Sequence, residues 1–468
     1  MKIKKQYIFL VIILLISAIV IFHNLGKSTI FDWDEARRAQ NALELIRTKD
    51  FIVIQYGGEP DLLNLKPPLG IWLIALSFST LGVSEFSLRF FTALFGVGTI
   101  GLVFLLGKAL KNSYTGIFSS LILLTNSMFI GYHGARTGDF DVMVIFFMTL
   151  SLYLFYLSQE KKRPKLIIAS SIALALGFLI KMQAILVLAI IIAYLLYTKK
   201  FKKTIKKEDT NLSIILFFII TLPWFILRYL RGKEFFITKI KWDIIQRFTQ
   251  SIEGHTGDWT FYFLRIYEGF GYILTIILIF SIIYLTYNLF QKKDKPTVFL
   301  FCWTIIIFLI MSLIQTKIFW YILPAYPALA LIIGYAISPN KDSDTQLKIL
   351  YIILFVLIIF YPVINTIRIT NQVNIASNLE SIKQLKDELK DYDKIYSQHR
   401  YTEQAEFFYL SWYTNSIPKK YKSIEETEIK PGEAVITFSK SESEYLKQNK
   451  DFTLIKEVDS VGLFERRL

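Results

Sequence analysis

The chain has 468 residues, of which 53% are hydrophobic and 16% aromatic, and its formal net charge at pH 7 is +15. Soluble domains approach half apolar composition, but they do not concentrate apolar residues in long uninterrupted runs. Here such runs occupy residues 8–22, 90–106, 214–226, 272–285, 298–314 and 347–361. Because a helix needs about 20 mostly apolar residues to cross a bilayer, the composition excludes a purely soluble protein.

Charge and cysteine content exclude two further classes. The basic residues are scattered over short loops, whereas a nucleic-acid-binding protein gathers them on one folded face. The single cysteine, Cys302, rules out an intramolecular disulfide and a multi-thiolate zinc site. We therefore expect no nucleic-acid partner, and we interpret the positive charge as a signal of membrane topology.

The predicted elements begin with an apolar helix over residues 7–24, which follows a basic N-terminus and lacks a small-residue cleavage site. Successive lysine clusters are separated by pairs of apolar spans, and the positive-inside rule places such short basic loops in the cytoplasm. This pattern predicts eleven membrane spans with the N-terminus in the cytoplasm. An odd number of spans leaves everything after Arg368 outside.

The first outward loop contains the sequence Phe31-Asp32-Trp33-Asp34-Glu35-Ala36-Arg37-Arg38. Apolar residues over 39–46 then predict an amphipathic helix at the membrane surface. A carboxylate pair at the head of such a helix is well placed to meet the headgroup of a lipid-linked substrate. The alternative is structural: Asp32 or Asp34 caps the helix, and Glu35 favours its dipole.

Next along the chain, Lys66 precedes Pro67 and Pro68, which predict an extended turn followed by a helix. The apolar stretch 69–81 is interpreted as an interfacial or re-entrant helix, because a full span there would break the charge pattern. Lys66 would present an ammonium group at headgroup depth, suited to a phosphate. Its alternative is a lysine that snorkels to the interface.

The second outward loop, residues 132–141, holds His133, Arg136, Asp139 and Asp141 directly before an apolar helix. Ionisable groups this close to the membrane are costly unless they are used or paired. An arginine and two aspartates between two spans therefore indicate a functional cluster. The alternative is that Arg136 simply pairs with Asp139 or Asp141.

Two later outward segments also contain polar candidate residues. The loop 231–268 contains Arg247, His255 and Asp258, a mixture able to line a polar pocket. Lys317 and Tyr321 lie at another outer boundary, within an aromatic belt. Lys317 suits a phosphate oxygen, and the alternative reading is an interface anchor.

The tail after residue 368 differs in composition, with 15 basic and 17 acidic residues. Its patterns predict helices over 379–389 and 403–413 and strands near 394–396, 434–438 and 461–464. We therefore divide the chain into a transmembrane domain, residues 1–368, and a small α/β or α+β domain, residues 369–468. The tail shows no catalytic constellation.

The outward motifs, taken in order, resemble those of GT-C glycosyltransferases of the protein O-mannosyltransferase type. The resemblance is strongest to the bacterial branch that includes the lipid A aminoarabinose transferase, and it covers residues 7 to about 337. It rests on six ordered motifs: Asp34-Glu35-Ala36-Arg37; Lys66-Pro67-Pro68-Leu69 with Trp72; Gly82-Val83-Ser84-Glu85 leading to Arg89; Ala135-Arg136 with Asp141; Leu222-Pro223-Trp224; and Thr316-Lys317 with Tyr321, Pro324 and Pro327.

The resemblance implies a mainly α, polytopic GT-C fold in a bacterial inner membrane. It implies transfer of a sugar, with inversion, from a polyprenyl-phosphate carrier to a lipid, protein or glycan acceptor outside the cytoplasm. Carried over by position, Asp34 is the catalytic carboxylate and Lys66 a ligand of the donor phosphate, Asp141 and Arg136 shape the second-loop side of the site, and Lys317 lies near the carrier's phosphate. We therefore expect three roles among the candidate residues. They are catalysis for Asp34, Glu35 and Asp141; donor-phosphate binding for Lys66, Arg136 and Lys317; and other contacts in the pocket for Arg37, His255, Asp258 and Tyr321.

One position departs from the pattern. Relatives of the aminoarabinose transferase type often carry a glutamate, associated with a metal, immediately before the Lys-Pro-Pro, and this chain has Leu65 there. No cofactor is firmly implied; a divalent metal stays open, with His255 and Asp258 as candidate ligands. Two other functions also stay open: a transporter or flippase of a lipid-linked sugar, which is expected to show inverted repeats, and an inactive carrier-binding scaffold.

Overall fold

The computed structural model describes residues 5–61, 64, 66–161, 163–292, 294–340, 342–398, 404–414, 416–421 and 423–467. Leu65, the departure from the family pattern, lies outside the described residues, as do Lys341 and parts of three other basic clusters used to assign topology. Up to residue 371 the described helices are α1 Lys5–Phe22, α2 Asp34–Thr48, α3 Leu69–Leu81, α4 Glu85–Leu110, α5 Ser113–Leu124, α6 Ser127–Ile130, α7 Asp141–Glu160, α8 Leu166–Ile180, α9 Leu186–Tyr197, α10 Phe201–Ile205, α11 Glu208–Leu230, α12 Glu234–Lys239, α13 Arg247–Thr249, α14 Phe261–Lys292, α15 Lys295–Leu313, α16 Tyr326–Ile337 and α17 Thr345–Asn371.

Irregular helical turns and a short hairpin connect these helices. Two 3₁₀ turns, Met182–Ile185 and Phe319–Ala325, lead into α9 and α16, and a π-helical stretch, Ile240–Gln246, leads into α13. The hairpin pairs β1 (Gln55–Tyr56) with β2 (Glu59–Pro60). Helix α14 is interrupted at Gly271, whose φ of 71° is left-handed and suits a residue without a Cβ.

Local sequence explains where several helices begin. Asn112, Asp294 and Asp344 accept hydrogen bonds from backbone N–H groups in the first turns of α5, α15 and α17. The predicted turn at Pro67 and Pro68 is confirmed, because α3 begins directly after it at Leu69. Helix α2 confirms the predicted amphipathic helix and extends it to Asp34.

Seven described helical segments are long and apolar enough to cross a membrane, and five shorter apolar helices accompany them. Helix α7 is 78% buried over its apolar window, whereas the windows of α11 and α17 are only 17% buried. The apolar faces that α11 and α17 leave uncovered are typical of contact with lipid. The mainly α membrane architecture is thus confirmed, and the number of crossings, eleven, stays a prediction.

The chain packs as two compact units. Unit 1 comprises Met1–His23, Leu62–Gly70 and Phe91–Gln372, and unit 2 comprises Asn24–Asp61, Ile71–Phe90 and Val373–Leu468. Unit 1 holds most of the apolar helices. The tail in unit 2 packs with the first outward loop and with residues 71–90. The domain boundary expected after residue 368 stays a prediction.

The tail forms a mixed five-stranded sheet with four helical segments. Its elements are α18 Ser377–Gln384, α19 Lys386–Leu389, β3 Ile395–Gln398, α20 Gln404–Thr414, β4 Lys419–Tyr421, β5 Ala434–Thr437, α21 Lys440–Gln448, β6 Phe452–Val458 and β7 Val461–Arg466. The strand order is β4-β3-β5-β7-β6, with β3 parallel to both of its neighbours and the remaining pairs antiparallel. The predicted helices and the three predicted strands are confirmed, and β4, β6 and α21 are additional.

Candidate active site

Asp34 is the first residue of α2, and its carboxylate is partly open to solvent. The side chain is 37% exposed, and it pairs at 3.1 Å with Arg38, one turn along the same helix. Trp33 occupies the N-cap position and caps no backbone N–H with its side chain. The neighbouring Asp32 accepts a hydrogen bond from the Ala405 N–H instead. Neither aspartate therefore serves as the N-cap of α2.

Glu35, by contrast, is fixed in a buried ion pair. Both Glu35 and Arg89 have side chains only 1% exposed, and two hydrogen bonds of 2.8 and 3.0 Å join them. The guanidinium also donates to three carbonyl oxygens of the loop before α2, those of Leu25, Ser28 and Thr29. Glu35 in turn accepts a hydrogen bond from the Phe31 N–H. Through these contacts, Glu35 and Arg89 join the loop before α2 to α4. The catalytic role of Glu35 stays a prediction.

Arg37 lies two positions after Glu35 in α2 and pairs with Asp61. The pair is bidentate, and Asn41 donates a further hydrogen bond of 2.9 Å to Asp61. The guanidinium of Arg37 also lies 4.4 Å from the ring centroid of Tyr56. Asp61 therefore neutralises Arg37 and fixes the orientation of its guanidinium.

A hydroxyl from the tail reaches the same segment. The Tyr409 hydroxyl donates to Glu85 at 2.6 Å and accepts from the Ile30 N–H at 3.3 Å, and Lys383 pairs with the same Glu85 oxygen. Burial, with Glu85 beside it, raises the pKa of Tyr409 above its usual range, so the hydroxyl stays protonated and donates. The segment before Asp34 is therefore held by the tail.

In unit 1, the second outward loop buries a histidine between two aspartates. The His133 Nδ1 lies 3.2 Å from Asp139 and 4.0 Å from Asp141, and its ring stacks on Trp320 with centroids 3.6 Å apart. Asp141 pairs with Lys181 at 2.5 Å, and its side chain is only 2% exposed. The loop thus holds a compact set of paired charges, as ionisable groups near a membrane require.

The Lys-Pro-Pro motif packs against this loop. A Cβ added to Gly70 would lie 2.6 Å from the ring of Phe140, the residue before Asp141. A side chain at residue 70 would therefore require the Phe140 ring or the start of α3 to shift. The approach places the segment that carries Lys66 beside the second outward loop within unit 1.

A cavity of about 910 Å³ lies in unit 1 and combines an apolar wall with cations. Its wall is built largely from isoleucine, leucine and phenylalanine side chains of α8, α9 and α11. Its cationic lining residues are Lys66, Lys181 and Arg247. Tyr321 lies with them, accepting a hydrogen bond of 2.9 Å from Arg247 and placing its ring centroid 5.3 Å from the Lys181 amine. Such a cavity can accept an apolar chain that ends in an anion.

Arg136 and Lys317 are engaged elsewhere. Arg136 donates to the carbonyl oxygens of Val20, Ile21 and His23 at the end of α1, and to that of Thr370. Lys317 donates to the carbonyl oxygens of Met311, Ser312 and Ile314 at the end of α15. Cations suit helix C-termini, where carbonyl groups lack partners. Neither side chain lines the 910 Å³ cavity, so their predicted phosphate contacts stay predictions.

His255 and Asp258 lie in the loop before α14. Asp258 accepts hydrogen bonds from both the N–H and the hydroxyl of Thr260, which lower the pKa of its carboxyl group. The His255 Nε2 lies 3.9 Å from a Glu253 oxygen, and its carbonyl accepts from the Lys317 N–H. The Asp258 carboxylate is thus committed to ordering this loop, and its role as a metal ligand stays a prediction.

Five of the ten predicted site residues fall into two groups. Lys66 and Tyr321 meet at the cavity of unit 1, while Asp34, Glu35 and Arg37 share α2 in unit 2. Lys181 and Asp61 are not among the residues predicted from the sequence. The signal for Lys181 was a lone lysine between two short apolar helices, and that for Asp61 was an acidic residue shortly before the Lys-Pro-Pro motif.

Comparisons with known proteins bear on the family of the chain and on its fold. The family model described as dolichyl-phosphate-mannose-protein mannosyltransferase matches residues 65–227. The chain is 31% identical to an uncharacterized protein of Aquifex aeolicus over 336 residues, which is 72% of this chain and 64% of that relative. It is 26% identical over 344 residues to the undecaprenyl phosphate-alpha-4-amino-4-deoxy-L-arabinose arabinosyl transferase of Pectobacterium carotovorum, covering 70% of this chain and 58% of the relative.

The fold has a counterpart among solved structures. The crystal structure of ArnT from Cupriavidus metallidurans bound to undecaprenyl phosphate superposes with a TM-score of 0.76 at 16% identity, covering 97% of both chains. The structural likeness thus includes the tail. The sequence likeness is shorter, because the chain spans less than two thirds of the length of the two relatives above.

Proposed function

Because the chain belongs to the GT-C glycosyltransferases of the protein O-mannosyltransferase and aminoarabinose transferase type, we propose that it transfers a sugar from a polyprenyl-phosphate carrier to an acceptor outside the cytoplasm. It is an integral membrane protein of the kind found in bacterial inner membranes. The proposed orientation places the N-terminus in the cytoplasm and the tail outside, as the basic loops predict.

The observation that carries this proposal is the 910 Å³ cavity. Its apolar wall suits a polyprenyl chain, and Lys66, Lys181 and Arg247 suit the carrier phosphate. The Pectobacterium relative is named for an undecaprenyl phosphate-linked donor, and the Cupriavidus structure holds undecaprenyl phosphate. A transporter would be expected to show inverted repeats with broken helices around its site, and we favour the enzyme.

We assign the general base to Asp34. In an inverting transfer, an acceptor hydroxyl oxygen attacks the anomeric carbon and the bond from that carbon to the phosphate oxygen breaks. The hydroxyl proton passes to the Asp34 carboxylate, and the leaving phosphate keeps the electron pair. Lys66, Lys181 and Arg247 stabilise the charge that develops on the phosphate. The partial exposure of Asp34 suits a group that must reach a substrate.

The only role that this proposal gives to a divalent ion is to add positive charge near the carrier phosphate. The residues that fit one best are His133 and Asp139, which bring an imidazole nitrogen and a carboxylate oxygen within 3.2 Å of each other. Asp258 fits less well, because Thr260 engages its carboxylate. A bound ion would supply electrostatic stabilisation of the leaving phosphate. Chelation followed by metal add-back, with transfer as the readout, tests the assignment.

A transfer assay tests the proposed function. Purified wild type and Asp34→Asn in liposomes would each receive a radiolabelled polyprenyl-phosphate sugar and an envelope extract. We expect the wild type to move label into one of the lipid, protein or glycan fractions, and the variant to lose that transfer. Glu59→Gln, at an exposed carboxylate of the same unit, is the matched control and should transfer normally.

The opposite outcome is equally clear. An intact donor across several sugars, together with movement of the donor across sealed vesicles, would replace the enzyme by a flippase. Normal transfer by Asp34→Asn would leave the enzyme in place but remove Asp34 as its base.

A further inference from the structure

A second cavity lies in unit 2, on the segment that leads into Asp34. It measures about 620 Å³ and is lined by residues 29–32, 373–376, 378–379 and 405–406. We call it the tail cleft, because all of its lining except residues 29–32 comes from the tail. Residues 29–32 end two positions before Asp34, so the cleft is part of the same unit as the proposed base.

Backbone hydrogen bonds fix the walls of the tail cleft. The Thr29 N–H donates to the Asn374 carbonyl at 3.0 Å, and the Ala376 N–H donates to the Thr29 hydroxyl at 3.1 Å. On the other side, the Ala405 N–H donates to Asp32 at 2.9 Å. Because the bonds join segments far apart in sequence, the cleft is formed by the fold before any ligand arrives.

The chemistry of the lining selects a class of ligand. Among the described residues, no lysine, arginine or histidine lines the tail cleft, whereas carboxylates and amides do. Glu406, which is 5% exposed, accepts a hydrogen bond from the Asn378 side chain at 2.5 Å. Carboxylates and amides bind hydroxyl groups well, and they disfavour a phosphate. Phe31 and Ile375 add apolar surface of the kind that meets the C–H face of a sugar ring.

The contrast with the 910 Å³ cavity sharpens this assignment. That cavity combines an apolar wall with three cations and suits a lipid phosphate. The charged residues described in the lining of the tail cleft, Asp32 and Glu406, are carboxylates. The two cavities therefore suit the two partners of a sugar transfer, a lipid-linked donor and a hydroxyl-bearing acceptor.

We propose that the tail cleft binds the acceptor, and that the acceptor presents a hydroxyl-rich saccharide there. This inference rests on the proposed function and adds the class of acceptor to it. It also gives the tail a role in acceptor recognition. Glu406 and Asn378 are binding residues in this assignment, and the reacting proton passes to Asp34.

Two variants of the full chain test the proposal in the transfer assay, with the glycan fraction of an envelope extract as the acceptor probe. Glu406→Gln keeps the size of the side chain and removes its charge. Ala376→Trp fills the cleft from an exposed position and is expected to fold. We expect Glu406→Gln to raise the half-saturating amount of extract roughly tenfold, as loss of a charged hydrogen bond implies, and Ala376→Trp to abolish transfer to the extract.

Measurements on the donor distinguish a failure of the tail-cleft proposal from a failure of the proposed function. Both variants should bind the labelled donor with the wild-type affinity, because neither substituted residue lines the 910 Å³ cavity. Glu444→Gln, an exposed carboxylate on α21, is the matched control and should behave as wild type. Unchanged half-saturation in both cleft variants would overturn the proposal.

A second measurement does not depend on activity. In a Cys302→Ala background, Ala376→Cys would be labelled by a membrane-impermeant maleimide with and without oligosaccharides released from the envelope extract. Slower labelling in their presence supports the cleft, even if the wild type transfers nothing and the proposed function fails. Equal labelling rates would overturn the cleft while leaving the transferase intact.

Discussion

Asp34 and Asp141 make an instructive pair, since each is the first residue of a helix. Asp34 begins α2 with a side chain 37% exposed and a partner on its own helix, Arg38. Asp141 begins α7 with a side chain 2% exposed and a partner from another segment, Lys181, at 2.5 Å. The helix dipole favours a carboxylate at both places. Their surroundings differ, so the exposed group is suited to taking a proton and the buried group to holding a cation in place.

The largest effects are expected from replacing each of these two aspartates by asparagine. Asp34→Asn should reduce the transfer rate by a factor of about 10² to 10⁴, because it removes general-base catalysis, and should leave thermal stability unchanged. Asp141→Asn should instead lower stability by about 3–5 kcal/mol, because it removes a charged partner of Lys181 from a buried site. Transfer rates and thermal unfolding in detergent measure the two effects. A reversed pattern would exchange the roles of the two aspartates.

The buried pair in unit 2 extends the comparison to Glu35. Arg89→Met should destabilise the protein by about 3–5 kcal/mol, because it removes the guanidinium that pairs with the buried Glu35 carboxylate. Adding Glu35→Gln should recover most of that loss, since no charge then stays buried. Thermal unfolding measures both. Lys390→Met removes an exposed pair with Asp387, which water screens, and should leave thermal unfolding nearly unchanged. Equal losses from Arg89→Met and Lys390→Met would contradict a structural role for the buried pair.

A third test separates the cations of unit 1. Lys66→Met should raise the KM for the donor by about ten- to a hundredfold, since it removes a charged hydrogen-bond donor from the proposed phosphate site. Lys317→Met is the matched control; its amine donates to carbonyl oxygens at the end of α15, so it should lower stability and leave the donor KM unchanged. If the donor KM responds to Lys317 rather than Lys66, the phosphate lies elsewhere.

The smallest expected effect concerns the tail. Tyr409→Phe should lower stability by about 1 kcal/mol and kcat a few-fold, because the hydroxyl that holds Ile30 and Glu85 is lost. The donor KM should not change. Because the pKa of Tyr409 is raised on folding, its contribution should be complete below pH of about 10 and decline only above it. A changed donor KM with unchanged kcat would argue against this positioning role.

Much of the fold could be predicted because apolar runs and helix periodicity are local signals. The tail elements that escaped prediction show where such signals end. Strand β4 has only three residues, two of them exposed lysines, and β6 exposes most of its side chains at the sheet edge. Their pairing depends on backbone hydrogen bonds to neighbouring strands, which leave little trace in the side-chain pattern.

The candidate site was predictable in its residue types and not in its pairings. Glu35 and Arg89 are 54 residues apart, and Asp141 and Lys181 are 40 apart. No local pattern tells which charges meet across such distances. The sequence placed Glu35 beside Asp34 as a second catalytic carboxylate, whereas burial against Arg89 gives it a different environment. Helix ends explain Arg136 and Lys317 in the same way, since their acceptors are carbonyl oxygens.

The left-handed glycine within α14 bears on how the protein fits its bilayer. At 1.5 Å per residue, the 32 residues of this helix would form a straight rod of about 48 Å. A hydrocarbon core is only about 30 Å thick, so such a rod must tilt, or the lipid around it must thicken. The change of direction at Gly271 divides the rod into two shorter arms. Each of the two helical segments can adopt its own tilt. The difference between helix length and hydrocarbon thickness is then accommodated by the bend in the helix.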